Sequence, residues 1–196
     1  MNEWYKRFRY TMLGCVMLLL LPGCLGLFEP LFAKGPYRGR VIDTDTKQPI
    51  EGAAVLAVWY SVTPTIGDKV DTYLDAEETL TDKDGRFVIG KHAPISFRPG
   101  WVRGPDITIF YPGYGSYPRY HAAPKVPLGG TVELREMMAK KELTIELRHL
   151  TTREERRRIV EGAIPLTEIP LKEIPNLGGL VNIERKALGI PPYAAE

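Results

Sequence analysis

Ala54-Val55-Leu56-Ala57-Val58-Trp59-Tyr60-Ser61-Val62 is a run without charge, proline or glycine. Such a stretch of β-branched, aromatic and small apolar residues suits a pleated strand. Side chains alternate along a strand, so Val55, Ala57 and Trp59 share one face while Leu56, Val58 and Tyr60 share the other. Both faces are apolar. The strand is therefore predicted to be central, either between two layers or beneath an added segment.

The flanking sequence is dense in strand and turn signals. Upstream, Tyr37–Asp43 reads as a first strand, stopped by Asp43-Thr44-Asp45-Thr46-Lys47-Gln48-Pro49, whose side chains favour turns. Downstream, residues 79–89 read as a hairpin, with Asp84-Gly85 supplying the positive φ of a tight connection. Residues 63–76 between them are longer than a hairpin needs. Residues 106–111 form another strand, ended by Pro112 and Gly113. Residues 131–134 and 142–147 complete the β region, and Leu143-Thr144-Ile145-Glu146-Leu147 alternates as a strand with one wet face. Tyr114, Tyr117 and Tyr120 recur at three-residue spacing, which suits either a surface row or a sheet edge. The expected sheet is antiparallel.

The order Gly39-Arg40-Val41-Ile42-Asp43, then Lys47-Gln48-Pro49-Ile50-Glu51-Gly52-Ala53-Ala54-Val55, then Thr81-Asp82-Lys83-Asp84-Gly85-Arg86-Phe87, then Tyr111-Pro112-Gly113-Tyr114 resembles the carboxypeptidase regulatory-like domain. The resemblance spans residues 37–147. It implies an all-β fold, an antiparallel β-sandwich of about seven strands of the prealbumin- or immunoglobulin-like kind. Such modules accompany peptidases and occur throughout bacterial envelope proteins. The matching residues are turn and core positions, so the resemblance speaks for fold and not for chemistry.

Residues 92–105 form a second long stretch rich in proline and glycine. Loops beyond about 12 residues in a compact domain are usually functional or disordered. Phe97, Arg98, Trp101 and Arg103 cluster there as a candidate partner-binding loop, being of the types enriched in binding hot spots. In the competing reading, Phe97 and Trp101 fold back to cap an open end of the sandwich.

At the N-terminus, Lys6, Arg7 and Arg9 precede an uncharged stretch, residues 11–21, that ends in Leu21-Pro22-Gly23-Cys24. This resembles the bacterial lipoprotein signal, which implies cleavage before Cys24, diacylglycerol on its sulfur and palmitate among the anchor's acyl chains. The alternatives are an uncleaved anchor helix over residues 10–28 or a buried hydrophobic helix. Pro22 and Gly23 weigh against the anchor helix, since in a helix interior they cost about 3 and 1 kcal/mol relative to alanine. The positive end stays inside, placing the bulk of the chain outside the cytoplasm. Leu25, where an aspartate would favour inner-membrane retention, points by resemblance to the outer membrane.

The expected organisation is a signal peptide over residues 1–23, a tether over 24–36, the sandwich over 37–150 and a C-terminal extension over 151–196. Cleavage would remove Cys15, leaving Cys24 acylated and no disulfide possible. The 173 residues that remain are enough to build an apolar core. The formal charge of +2 resides in the leader, so the mature chain is neutral and nothing suggests nucleic acid as a partner.

Beyond Leu150, Thr152-Arg153-Glu154-Glu155 is a capping box for a short helix ending at Gly162. Its arginines read as a solvated face diluted by Glu154, Glu155 and Glu161 rather than as a lipid-binding patch. Ile-Pro then recurs at positions 164, 169 and 174, which predicts an extended, polyproline-like arm. The arm either docks on its own domain or is offered to a partner. Residues 177–189 are expected to form a last helix with Leu180, Ile183, Ala187 and Leu188 on one face, closed by Pro191 and Pro192.

The chemistry inventory is short. His92, His121 and His149 are far apart in sequence, and none has a second ligand at metal-binding spacing. Asp82, Asp84 and Gly85 resemble the start of a calcium loop, but Lys91 stands where the bidentate acid belongs. Neither a nucleophile elbow nor a zincin motif nor a phosphate-binding glycine loop is present. A purine-degradation hydrolase shares the prealbumin-like fold and uses a terminal Tyr-Arg-Gly-Ser; here Tyr37-Arg38-Gly39 stands at the wrong end.

The leading expectation is a non-catalytic, cofactor-free protein held to the membrane by its lipid. It would face the periplasm and bind a protein or glycan. The rivals are a small hydrolase or peptidase accessory subunit, with a site built from His92, His121 and loop carboxylates, and a purely structural spacer.

Overall fold

The computed structural model describes residues 34–118, 139, 141–162 and 169–193. Its elements are β1 (Tyr37–Asp43), β2 (Ala54–Thr65), β3 (Asp68–Leu80), β4 (Arg86–Ile89), β5 (Trp101–Phe110), β6 (Leu143–Leu147), α1 (Arg153–Gly162), a 3-10 turn (Leu171–Glu173) and α2 (Pro175–Ala187). The six strands form two three-stranded sheets, ordered β4-β1-β6 and β3-β2-β5. Cys24 and the leader, the strand expected at 131–134, Tyr120, His121 and the first Ile-Pro repeat lie outside the described residues.

β2 is the middle strand of its sheet, and its two faces separate as the alternation predicts. Val55, Ala57 and Trp59 pack with Ile107 and Ile109 of β5 against Tyr37, Val41, Phe87, Ile89, Ile145 and Leu147 of the other sheet. This is the core of two facing sheets, the arrangement of a β-sandwich. Leu56, Val58 and Tyr60, with Phe110, pack against Leu150, Ile159, Val160, Ile169, Ile174, Leu177, Val181 and Leu188 from the C-terminal segment. A sheet on one side and helices on the other make both faces of β2 dry, which is why its sequence carries no polar alternation.

Pairing is antiparallel with one exception. β1 and β6 run parallel, from Gly39↔Leu143 to Asp43↔Leu147, which corrects the expectation of a purely antiparallel sheet. A parallel neighbour requires a crossover connection rather than a turn, and more than thirty residues separate β5 from β6.

A second correction concerns residues 63–76, read from sequence as an over-long loop. They are the outer part of a continuous hairpin: β2 and β3 pair from Ala54↔Leu80 out to Thr65↔Asp68. Pro64 and Gly67 gave the loop signal. Pro64 lies beyond Val62, the last β2 residue that β5 pairs, and proline is tolerated where a strand has lost a neighbour. Both ladders shift register around Trp59 and Tyr60. On the β5 side the irregularity needs Gly104, whose φ is +126° and whose added Cβ would stand 2.7 Å from the Val58 carbonyl oxygen.

The C-terminal segment also departs from the extended arm expected of its prolines. Residues 171–173 form the 3-10 turn, and Pro175 opens α2 at a position where its missing N–H costs nothing. No side chain of the segment itself caps α2. Instead Glu78 of β3 accepts hydrogen bonds from the N–H groups of Asn176 (2.6 Å) and Leu177 (3.0 Å), and the Tyr73 hydroxyl meets Glu173. The face expected of this helix is rotated: Leu177, Val181, Glu184 and Leu188 are buried, while Ile183 and Ala187 are exposed. Glu184 accounts for the rotation, because Arg156 of α1 binds both its oxygens at 2.6 and 2.8 Å and lets it sit inside. Among the described residues no helix is long and apolar enough to cross a membrane.

Candidate functional site

The candidate loop is partly strand. Trp101 opens β5 and pairs with Val62, and Arg103 pairs with Tyr60, so the irregular stretch ends at Gly100 rather than at Pro105. Residues 94–100 are laid along the outer hairpin. The Ser96 hydroxyl lies 2.7 Å from the Ser61 hydroxyl, the Arg98 N–H donates to Ser96 Oγ at 3.2 Å, and Arg98 Nη1 reaches Thr72 Oγ1 at 3.4 Å. Gly100 makes the close approach possible: at φ +129°, any Cβ there would stand 1.9 Å from the Val62 carbonyl oxygen.

Phe97 does not fold back as a cap. It is 98% exposed, and Trp101 is 53% exposed. Ile66 at the hairpin turn, Val70 on β3 and Ile95 on the same irregular stretch are exposed as well. These five, out of eight large exposed hydrophobic residues described, belong to the outer hairpin and the segment laid along it. Isolated exposed apolar residues need no explanation, but a concentration at one end of a sheet does.

Arg103 is not a free cation at this end. Its Nη2 is 3.0 Å from Asp71 and its Nη1 2.6 Å from Asp106, and its guanidinium lies over the Tyr60 ring at 4.5 Å. Burial would lower its pKa. The hydrogen bond to Asp106 and the charges of Asp106 and Asp71 outweigh it and hold the guanidinium above its ordinary value. Arg103 thus departs from the role expected of it, fastening β5 to β3. Lys69 and Arg98, by contrast, make no ion pair among the described residues and are exposed.

His92 sits on the opposite face of the sheet. Its ring stacks on Trp59 with centroids 4.2 Å apart, Nε2 is 2.8 Å from Asp75 Oδ2, and Nδ1 is 3.9 Å from Glu77 Oε2. Glu77 also accepts the Gly90 N–H at 2.9 Å. A histidine oriented by a carboxylate is half of a general-base arrangement, the other half being a nucleophile within reach. Both ring nitrogens face carboxylates. Among the described residues no group of three His, Cys, Asp or Glu side chains is placed to hold a metal ion.

Of the tyrosine row, Tyr114 is half-buried and Tyr117 is buried. Tyr114 hydrogen-bonds Asp43, and burial followed by that bond pushes its pKa up to about 12. Asp43 is held below its ordinary value: burial works the other way, but the Thr46 N–H, the Tyr114 hydroxyl and the Asp45 N–H together prevail. Tyr117 is buried beside Ile109, and burial alone pushes it up to about 12. His149 packs edge-on against Tyr114 at 5.1 Å. Tyr114 is therefore half-buried against β1, with the exposed His149 lying over its edge.

Asp71 and Asp75 were missed as partners because residues 63–76 read as loop, and Glu77 just beyond them was given no role. The available signal was period two, since Asp71 and Tyr73 point to one face and, past the register shift, Asp75 and Glu77 to the other. No family model, no curated protein and no solved structure matches this chain.

Proposed function

We propose that this chain is a non-catalytic, lipid-anchored protein of the bacterial cell envelope. Acylated Cys24 holds it to the membrane, preferentially the outer one, and it faces the periplasm. Its domain is a prealbumin-like sandwich of about seven strands, of the carboxypeptidase regulatory-like kind, that binds a protein or glycan partner. The observation that supports binding over catalysis is how the surface groups are used. Around β3 the polar and charged side chains answer one another, Arg103 with Asp71 and Asp106 and the His92 imidazole with Asp75, while large apolar side chains near the hairpin end face solvent. Phe97, Arg98 and Trp101 belong to that contact end, with Arg103 as its brace.

Mass spectrometry of the mature N-terminus tests the anchor: a diacylated Cys24 is expected, and an intact, unacylated leader would remove the envelope reading. One observation favours the rival hydrolase or accessory peptidase subunit, namely the carboxylate-oriented imidazole of His92. Under that reading His92→Ala would abolish a hydrolytic activity; under the binding reading it leaves partner binding intact. A pure spacer would tolerate Trp101→Ala and Arg103→Ala together without effect on the cell, while loss of Cys24 would still be felt.

A further inference from the structure

We infer that the end of the β2–β3 hairpin is a protein-docking knob, and that its partner is a protein surface with an apolar groove rimmed by carboxylates. This rests on the binding-module reading and names which of its two partner classes fits.

The knob carries Ile66, Val70, Ile95, Phe97 and Trp101, with Ile66 more exposed than in an extended chain (107%). Nothing lies within 4 Å of a Cβ built on neighbouring Gly67, so the turn projects into open space. A projecting apolar group is covered by a concave surface rather than a flat one.

A glycan is the poorer match. Sugar recognition needs hydrogen-bonding groups converging beside an aromatic ring. Two such groups near Trp101 in the sequence are engaged within the chain, Arg103 by Asp71 and Asp106 and Ser96 by Ser61. Three of the five apolar residues are aliphatic and branched, of little use to a polyol. A bilayer is also a poorer match, because Asp68 stands two residues from Ile66 at the same turn and would be carried toward the hydrocarbon with it.

Charge selects the rim. Lys69 and Arg98 flank the apolar residues without an ion partner among the described residues; of the two exposed carboxylates beside them Asp71 is taken by Arg103 and only Asp68 is left, so a surface bearing aspartates or glutamates complements the two cations. Aromatic anchors at the centre with charges at the edge are the composition of a hot spot.

The test places p-benzoylphenylalanine at position 97 of the full-length chain, in the cells that make it, and identifies the photo-adduct by mass. The expected product is a discrete protein adduct whose crosslinked peptide is apolar and flanked by Asp or Glu. Its yield should fall at least about tenfold when Lys69→Glu and Arg98→Glu are combined, and again in a separate Ile66→Asp chain. Thermal melting should be unchanged in all of them, since each position is exposed. A lipid adduct, a glycan adduct, an adduct of twice the chain's own mass, or a protein adduct indifferent to charge reversal overturns the inference. A glycan adduct would leave the binding-module reading standing, whereas no adduct at position 97 would remove both.

Discussion

Leu56→Ala tests the most consequential feature of the fold, that the second face of β2 is as dry as the first. Leu56 is completely buried, in the cluster that β2 and Phe110 share with α1 and α2. Removing a buried leucine side chain to alanine costs about 2–5 kcal/mol, from lost transfer energy and from the cavity left behind. Full burial beneath a helical layer puts the expected loss near 3 kcal/mol, or roughly 6–12 °C in Tm for a chain of this size. Urea unfolding followed by tryptophan fluorescence measures it. A double-mutant cycle locates the cause. Leu56→Ala with Leu177→Ala of α2 should be non-additive by about 0.5 kcal/mol or more, because both line one cluster. Leu56→Ala with Ile89→Ala of β4 should add to within about 0.5 kcal/mol, because they line different ones. A loss below about 1 kcal/mol for Leu56→Ala, the range of a surface change, would refute the two-sided burial of β2. Strict additivity with Leu177→Ala would refute the helical cover.

Three further outcomes follow from individual sites. Glu78→Ala leaves the first turn of α2 without its carboxylate cap, and should cost about 1 kcal/mol and roughly 2–4 °C in Tm, read by thermal unfolding. Gly104→Ala forces a side chain onto a positive φ and against the Val58 carbonyl, for an expected loss of about 2–4 kcal/mol in the same assay; a neutral result would contradict the register shift. The Asp43–Tyr114 pair gives stability a dependence at both ends of the pH scale. Asp43 has a lowered folded pKa, so its contribution is complete above the ordinary value of 3.8 and is lost as pH falls below it. Tyr114 has a raised one, so its contribution is complete below 10.0 and is lost as pH rises toward about 12. In Asp43→Asn the acid limb of the urea midpoint should flatten below about pH 4, and an unchanged limb would exclude the pair.

What could be read from the sequence was whatever depends on neighbours along the chain. The unbroken apolar alternation from Ala54 to Val62 announced a strand covered on both sides, and Asp84-Gly85 announced a turn, where Gly85 indeed takes φ +74°. Local punctuation misled where tertiary structure absorbs it. Pro64 and Gly67 sit at the end of a long hairpin, and Gly104-Pro105 sits inside β5 as an irregularity. Both pairs had read as loop. The buried face of α2 was misassigned because Glu184 counts as polar in any periodicity, and only Arg156, 28 residues away, makes its burial tolerable. The carboxylates that position Arg103 and His92 were unreadable for the same reason: Asp71 and Asp75 acquire their partners from strand register, which no stretch of sequence displays. Of the candidate loop, residue type left open whether Phe97 and Trp101 face solvent or fold back, and it gave no sign of the engagement of Arg103.

The parallel pairing of β6 with β1 has a bearing on biosynthesis. The two strands are separated by residues 44–142, so one edge of β1 stays open through most of translation. The greasy stripe of Leu56, Val58 and Tyr60 waits even longer, for residues up to Leu188. An emerging polypeptide therefore reaches its last quarter with an unpaired strand edge and a bare hydrophobic flank, the two invitations to aggregation that chaperones exist to shield. Nonsense codons late in the message should accordingly be as damaging as early ones, because the closing pieces of this domain are made last.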